Sequence, residues 1–160
     1  MRAAGLHLTG HFGLEHYRAG SLIDSRSVRN TIVNDGLAAV AGLIIQTGST
    51  SPFTYLAIGT STTAVSSTDT ALYGELTTGG GQRSLATLSR VTTDVTNDTA
   101  QLVHTFTFTT TGTYPITEAG VFNVVTTSSG SGAMLCRQIF TAINVVNTDT
   151  LEITYKLDVD

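Results

Sequence analysis

Charge is what this chain has least of. Of its 160 residues only 12% are Asp, Glu, Lys or Arg, about half the ~25% usual in soluble domains. Lys156 is the only lysine, the formal net charge is −4, and no basic run occurs. Phosphate backbones are bound by clustered Lys and Arg, so nucleic acid is not an expected partner. There is a single cysteine, Cys136, which excludes an intrachain disulfide. Set in an apolar alternation, it reads as a small buried hydrophobe rather than a nucleophile. Tryptophan is missing altogether, which leaves a sugar-binding platform poorly supplied. The longest apolar run, residues 37–45, is broken by Gly42 and is far short of the ~20 residues of a membrane helix, so no membrane partner is expected. His7, Thr9, Gly10 and His11 stand where a signal peptide would carry its apolar core, and no export signal is expected either.

What remains is rich in threonine, serine and glycine, with short apolar segments that alternate. Residues 6–17 and 22–29 alternate on either side of Arg18-Ala19-Gly20-Ser21, a β-hairpin whose reversal needs a positive φ at Gly20. Asn34 or Asp35 can cap the one expected helix, from Gly36 onward, with Leu37, Val40, Ala41 and Ile44 spaced along its core face and a stop at Gly48. Residues 53–58 suit a strand, and 68–76 a single helical turn that puts Leu72 and Leu76 on the core. Residues 85–96 and 99–111 read as a hairpin turned at Asn97-Asp98, with Leu102, His104, Phe106 and Phe108 on one face. Residues 116–125 and 133–140 are further strands, and 151–159 is the cleanest alternation, a half-buried antiparallel strand. The pattern predicts an all-β fold: an antiparallel, jelly-roll-like β-sandwich over residues 1–160, one domain, with an N-terminal β-hairpin and one short α-helix. The hairpin, residues 1–30, is read as an arm that a compact sandwich does not obviously need and that makes inter-subunit contacts.

One stretch stands out. Tyr114-Pro115-Ile116-Thr117-Glu118-Ala119-Gly120-Val121-Phe122-Asn123 places a carboxylate and a glycine inside a core strand. Ile116, Val121 and Phe122 cannot share a face at a period of two, so either both faces are buried or a bulge at Gly120 resets the alternation; the bulge is the favoured reading. Glu118 among apolar neighbours must find donors, either backbone N–H groups or an arginine such as Arg90 or Arg137. One acid alone makes no acid–base pair. Phe106, Phe122, Ile153 and Tyr155 are expected in the core.

Catalytic and metal motifs are not evident. His7 and His11 share a strand face but stand ~13 Å apart by the strand rise, too far for one zinc. His104 reads as a satisfied core histidine. Asp94 with Asp98, and Asp158 with Asp160, lack the multi-ligand loop of a calcium site. The run Thr77-Thr78-Gly79-Gly80-Gly81 lacks a strand–helix flank and is no phosphate loop. The reading is therefore of a chain with no catalytic, cofactor-binding or metal residues, and with Glu118, Gly120, Phe122, Phe106, Ile153 and Tyr155 as structural positions.

Five blocks carry a family resemblance: Tyr55-Leu56-Ala57-Ile58-Gly59-Thr60, then Asp69-Thr70-Ala71-Leu72-Tyr73-Gly74-Glu75-Leu76, then residues 116–123, then Met134-Leu135-Cys136-Arg137-Gln138-Ile139-Phe140, then Asp149-Thr150-Leu151-Glu152-Ile153-Thr154-Tyr155. In this order they resemble the "lGtGt", "dtaL..E", "I.EaGlFn", "ml.r..F" and "dtl.itw.i" segments of small structural proteins of tailed bacteriophages. That family often opens with a similar hairpin and an "N.vvn.GL" segment, here Asn30-Thr31-Ile32-Val33-Asn34-Asp35-Gly36-Leu37. The resemblance implies a non-enzymatic virion protein, assembled in the host cytoplasm without cofactors, that decorates or cements the capsid. Its implied partners are further copies of itself, as a trimer, and the major capsid protein. The alternatives are a tail-fibre, collar or baseplate component, or a receptor- or carbohydrate-binding module using loops 59–68 and 77–83.

Overall fold

In the computed structural model, which describes residues 7–47, 51–127 and 132–159, the first reversal of the chain falls at Ala19 (φ 50°) and Gly20 (φ 78°). Two consecutive left-handed residues make the tight turn whose twist matches antiparallel strands. It joins β1 (Leu8–Arg18) to β2 (Ser21–Arg29). There follow β3 (Thr31–Ile32), α1 (Asn34–Ile45), β4 (Tyr55–Gly59), β5 (Ser84–Leu85), β6 (Thr87–Val91), β7 (Thr99–Thr107), β8 (Tyr114–Phe122), β9 (Met134–Val145) and β10 (Thr150–Val159). Residues 1–6, the helix stop expected at 48–50, the Ser/Gly loop at 128–131 and residue 160 lie outside the described residues.

The strands form two antiparallel five-stranded sheets, in the orders β2-β1-β10-β7-β6 and β3-β9-β8-β4-β5. They face one another across Phe12, Leu14, Leu102, Phe106, Leu151, Ile153 and Tyr155 from the first and Leu56, Ile58, Ile116, Val121 and Ile143 from the second, all buried. The molecule is thus an all-β sandwich with one helix. At Ala86 the chain changes sheets: Leu85 pairs with Tyr55 in the second sheet and Thr87 with Val103 in the first. The single strand expected over 85–96 is split there because Ala86 turns into the core and its N–H bonds the Thr54 carbonyl.

The hairpin is no appendage. β1 lies between β2 and β10, paired with β10 from Leu8↔Val159 to Tyr17↔Thr150, and it sends fully buried Phe12 and Leu14 into the core. A sandwich without residues 1–30 would lack two strands of one sheet.

Of the helix face expected to be buried, only Val40 packs against the core. Gly36 and Ala39 are buried, whereas Leu37 is 49% exposed, Ile44 72% and Ile45 67%. Small residues allow the helix to approach β9, and Leu37, Ile44 and Ile45 are left outside. Neither Asn34 nor Asp35 caps it: the N-cap is Val33, and the Asp35 carboxylate accepts from the Met134 N–H instead. The helix ends where Gln46 turns left-handed (φ 53°).

Candidate functional site

β8 is buried on both faces, and this creates the most unusual feature of the molecule. Ile116, Ala119 and Val121 face the inter-sheet core, while Phe122 belongs to a second cluster with Val33, Ala57, Leu72 and Met134 on the outer face of the second sheet. The alternation is reset, but not at Gly120. Register shifts fall between Ile116 and Glu118 and between Val121 and Phe122, and in both the surplus residues are on β9: Ile116 pairs with Ile143 but Glu118 with Ile139. Gly120 pairs regularly with Ala57 and Arg137. A side chain there would run into Leu72, Phe122 and the Cys136 carbonyl. Its role is close packing, not bending.

The reset turns Glu118 to the outer face, where it is fully buried. Its carboxylate accepts from the Gly74 N–H (2.7 Å), the Tyr73 N–H (3.4 Å) and Arg137 Nε (2.8 Å). Both expected kinds of donor are therefore used at once, and the arginine is Arg137. Its guanidinium, also fully buried, donates to Asp69 Oδ2 (3.0 Å) and the Thr63 carbonyl (2.9 Å) and lies 4.8 Å from the centre of the Tyr73 ring. The Tyr73 hydroxyl in turn donates to Asp69. A side chain on Gly59, opposite Glu118, would collide with the carboxylate and the Gly74 carbonyl. Buried charges of this kind are tolerated only when paired and hydrogen-bonded, and these are.

The network's effect is to fasten residues 60–83, the long connection from β4 to β5, over the outer face of the second sheet. No helical turn forms over 68–76. Leu72 nevertheless reaches the outer cluster and Leu76 the main core, held there by the Glu118 bonds to the Tyr73 and Gly74 N–H groups and by backbone bonds at the end of β4, between Thr60 and Gly74 and between Leu76 and Ile58. A second arginine fixes the far end. Arg83 makes a two-pronged pair with Glu75 (2.8 and 2.7 Å), donates to the Val124 and Thr126 carbonyls and stacks 3.5 Å over the Phe122 ring. Planar, five-donor guanidinium groups suit such multi-partner positions. Sequence reasoning missed Arg83, which no motif marks; Asp69 and Glu75 were visible only as parts of the "dtaL..E" block.

The remaining candidates are dispersed. His16 is buried and bonded to Asp149 (2.8 Å), which also holds Arg18 and the Val146 N–H. Asp149 keeps its charge well below the usual carboxylate range because Arg18 hydrogen-bonds it. His11 lies beside Lys156, and His104 packs edge-on to Phe106 with ring centres 4.6 Å apart. Burial lowers the pKa of both. The Asp98 carboxylate is spent on the Thr93, Asp94 and Val95 amides of the β6–β7 turn, which hold it charged. No group of three or more His, Cys, Asp or Glu able to hold a metal occurs among the described residues. Cys136 is fully buried, and burial pushes its thiol up to about 12. Phe106, Phe122, Ile153 and Tyr155 are 1%, 3%, 0% and 0% exposed, so all four lie inside, but Phe122 in the outer cluster. A hollow of about 450 Å³ between β1, β2 and α1 is lined by His7, Thr9, Arg29, Asn30 and Leu37, without a carboxylate.

Compared with known proteins, the chain matches no family model, no curated protein and no solved structure.

Proposed function

We propose that this chain is a non-enzymatic structural protein of a tailed-phage virion that binds the outside of the capsid shell and stabilises it. The observation that carries the reading is where four of the five family-like blocks meet. Gly59 of the first, Asp69, Leu72 and Glu75 of the second, Glu118, Gly120 and Phe122 of the third and Arg137 of the fourth are one contiguous unit, built around the Glu118–Arg137–Asp69 network. Blocks that are each weak in sequence thus act together in space, as a shared scaffold requires.

The surface fits the same role. Leu37, Ile44 and Ile45 on α1, Leu22 and Ile23 on β2, and Leu85 and Leu88 near the sheet crossover are 49–72% exposed. Apolar groups left outside in this number suit protein contacts. With so few charges, the chain is suited to burial against further copies of itself, as a trimer, and against the major capsid protein. Among the described residues no helix is long and apolar enough to cross a membrane. The rigid 60–83 connection is the observation that favours a second reading, a loop-presenting module of the tail fibre or baseplate, since binding residues are commonly carried on loops held by a stiff scaffold.

Separating purified parent virions into heads and tails, and probing each fraction for this chain, distinguishes the readings. Presence in the head fraction, releasable without loss of DNA-packaging proteins, is the expected outcome. Presence only in tails moves the assignment to the second reading.

A further inference from the structure

The first sheet ends in a nine-residue strand, β2, whose outer edge is paired with no other strand among the described residues. The other three edges are shorter: β3 and β5 have two residues each and β6 five. A long open edge invites pairing, and proteins blunt such edges with bulges and charges. β2 has both. The register slips between the His16↔Asp24 and Tyr17↔Leu22 pairs, leaving Ile23 as the surplus residue, and Asp24 and Arg26 sit side by side on the strand with a direct ion pair, the Arg26 guanidinium also donating to the Thr141 and Ala142 carbonyls of β9. A foreign strand meets these as obstacles.

A second copy of the same strand does not. We propose that β2 pairs antiparallel with β2 of a second copy about a two-fold axis through Ser25. In that register Asp24 of each copy faces Arg26 of the other, a pair that occurs twice by symmetry. Opposite charges across a ladder stabilise it and like charges oppose it. Centring the axis one residue away, on Asp24 or on Arg26, sets like charges against each other, so the sequence selects one register. The β6 edge, centred on Ser89, would set Leu88 against Arg90 and offers no such match. The charges that oppose other strands therefore admit the chain's own copy. This contact does not rest on the virion reading; within it, a two-fold contact would link neighbouring trimers.

The test uses the full chain with Ser25→Cys or Ser27→Cys, under mild oxidation and without any shell. Ser25 is exposed, and across the axis its two copies would stand ~4.5–5.5 Å apart at Cα, within disulfide reach. The two copies of residue 27 would be offset by four residues, ~13 Å along the strand. A covalent dimer with Ser25→Cys and none with Ser27→Cys is expected. In sedimentation, Asp24→Arg or Arg26→Asp alone should weaken the pairing at least about tenfold, and the two together should restore it. Equal cross-linking at both positions, no cross-linking at residue 25, or a double variant no better than the single ones would overturn the proposal. Shell binding plays no part in these measurements, so either reading can fail without the other.

Discussion

At the scale of single residues, the energetic weight lies in buried charges that share partners. Glu118→Ala would leave the Gly74 N–H and part of the Arg137 guanidinium unsatisfied where water cannot reach, as both side chains are fully buried. Breaking one partner out of a buried pair costs ~3–5 kcal/mol, and chemical denaturation should show a loss of that size. Phe122→Ala should cost a similar ~3–5 kcal/mol. It removes the ring under Arg83 as well as the packing against Leu72 and Met134, so faster amide exchange in residues 76–83 should accompany the lower stability. Asp149 sets an acid limit. Its native pKa is lowered by Arg18, the Val146 amide and His16, so its stabilising contribution is complete above the ordinary carboxylate value of about 4 and is lost as the pH falls from there toward the lower native value. Asp149→Asn should flatten the decline in melting temperature below about pH 4. A decline as steep as that of the parent chain would show that other carboxylates govern acid unfolding.

At the scale of elements, the strands were legible wherever one face is buried and the other is not. The alternation in residues 151–159 marks β10, and the residue 19–20 turn marks the first hairpin, because periodicity and turn chemistry are local. β8 was legible as a strand but not in its detail. Its reset is made by surplus residues on the next strand, β9, and nothing in residues 114–123 marks where they fall. The helix misled for a related reason. Its spacing of Leu37, Val40, Ala41 and Ile44 is that of a core face, yet of these only Val40 meets the core, and contact with β9 buries the small residues Gly36 and Ala39. The connection at 60–83 has no periodicity at all, and its order comes from Arg137 and Arg83, whose partners are up to 74 residues away. The first hairpin looked separable because the strand that completes it, β10, comes last in the chain. Deleting residues 1–29 should therefore abolish folding, since β10 would lose the β1 ladder together with Phe12 and Leu14. A soluble truncated chain with an intact far-ultraviolet spectrum and a cooperative melt would contradict that placement.

At the scale of the whole molecule, the proposed capsid role draws on the low charge and on the apolar residues exposed on α1 and β2. Replacing Ile44 and Ile45 by Glu should leave the isolated chain's stability within about ±0.5 kcal/mol, as exposed substitutions do, while weakening its hold on a shell if α1 is part of that contact. A protein that binds the assembled shell and not its dissociated subunits must stabilise the shell by mass action, and the contact has to exceed ~1,000 Å² to act as a durable interface. The most direct measurement is the melting temperature of capsid shells stripped of this chain, titrated with the purified protein. A saturable rise, with binding in multiples of three copies per local three-fold site, is the expected result. Shells that melt at the same temperature at every concentration, with no protein co-sedimenting, would contradict the capsid role.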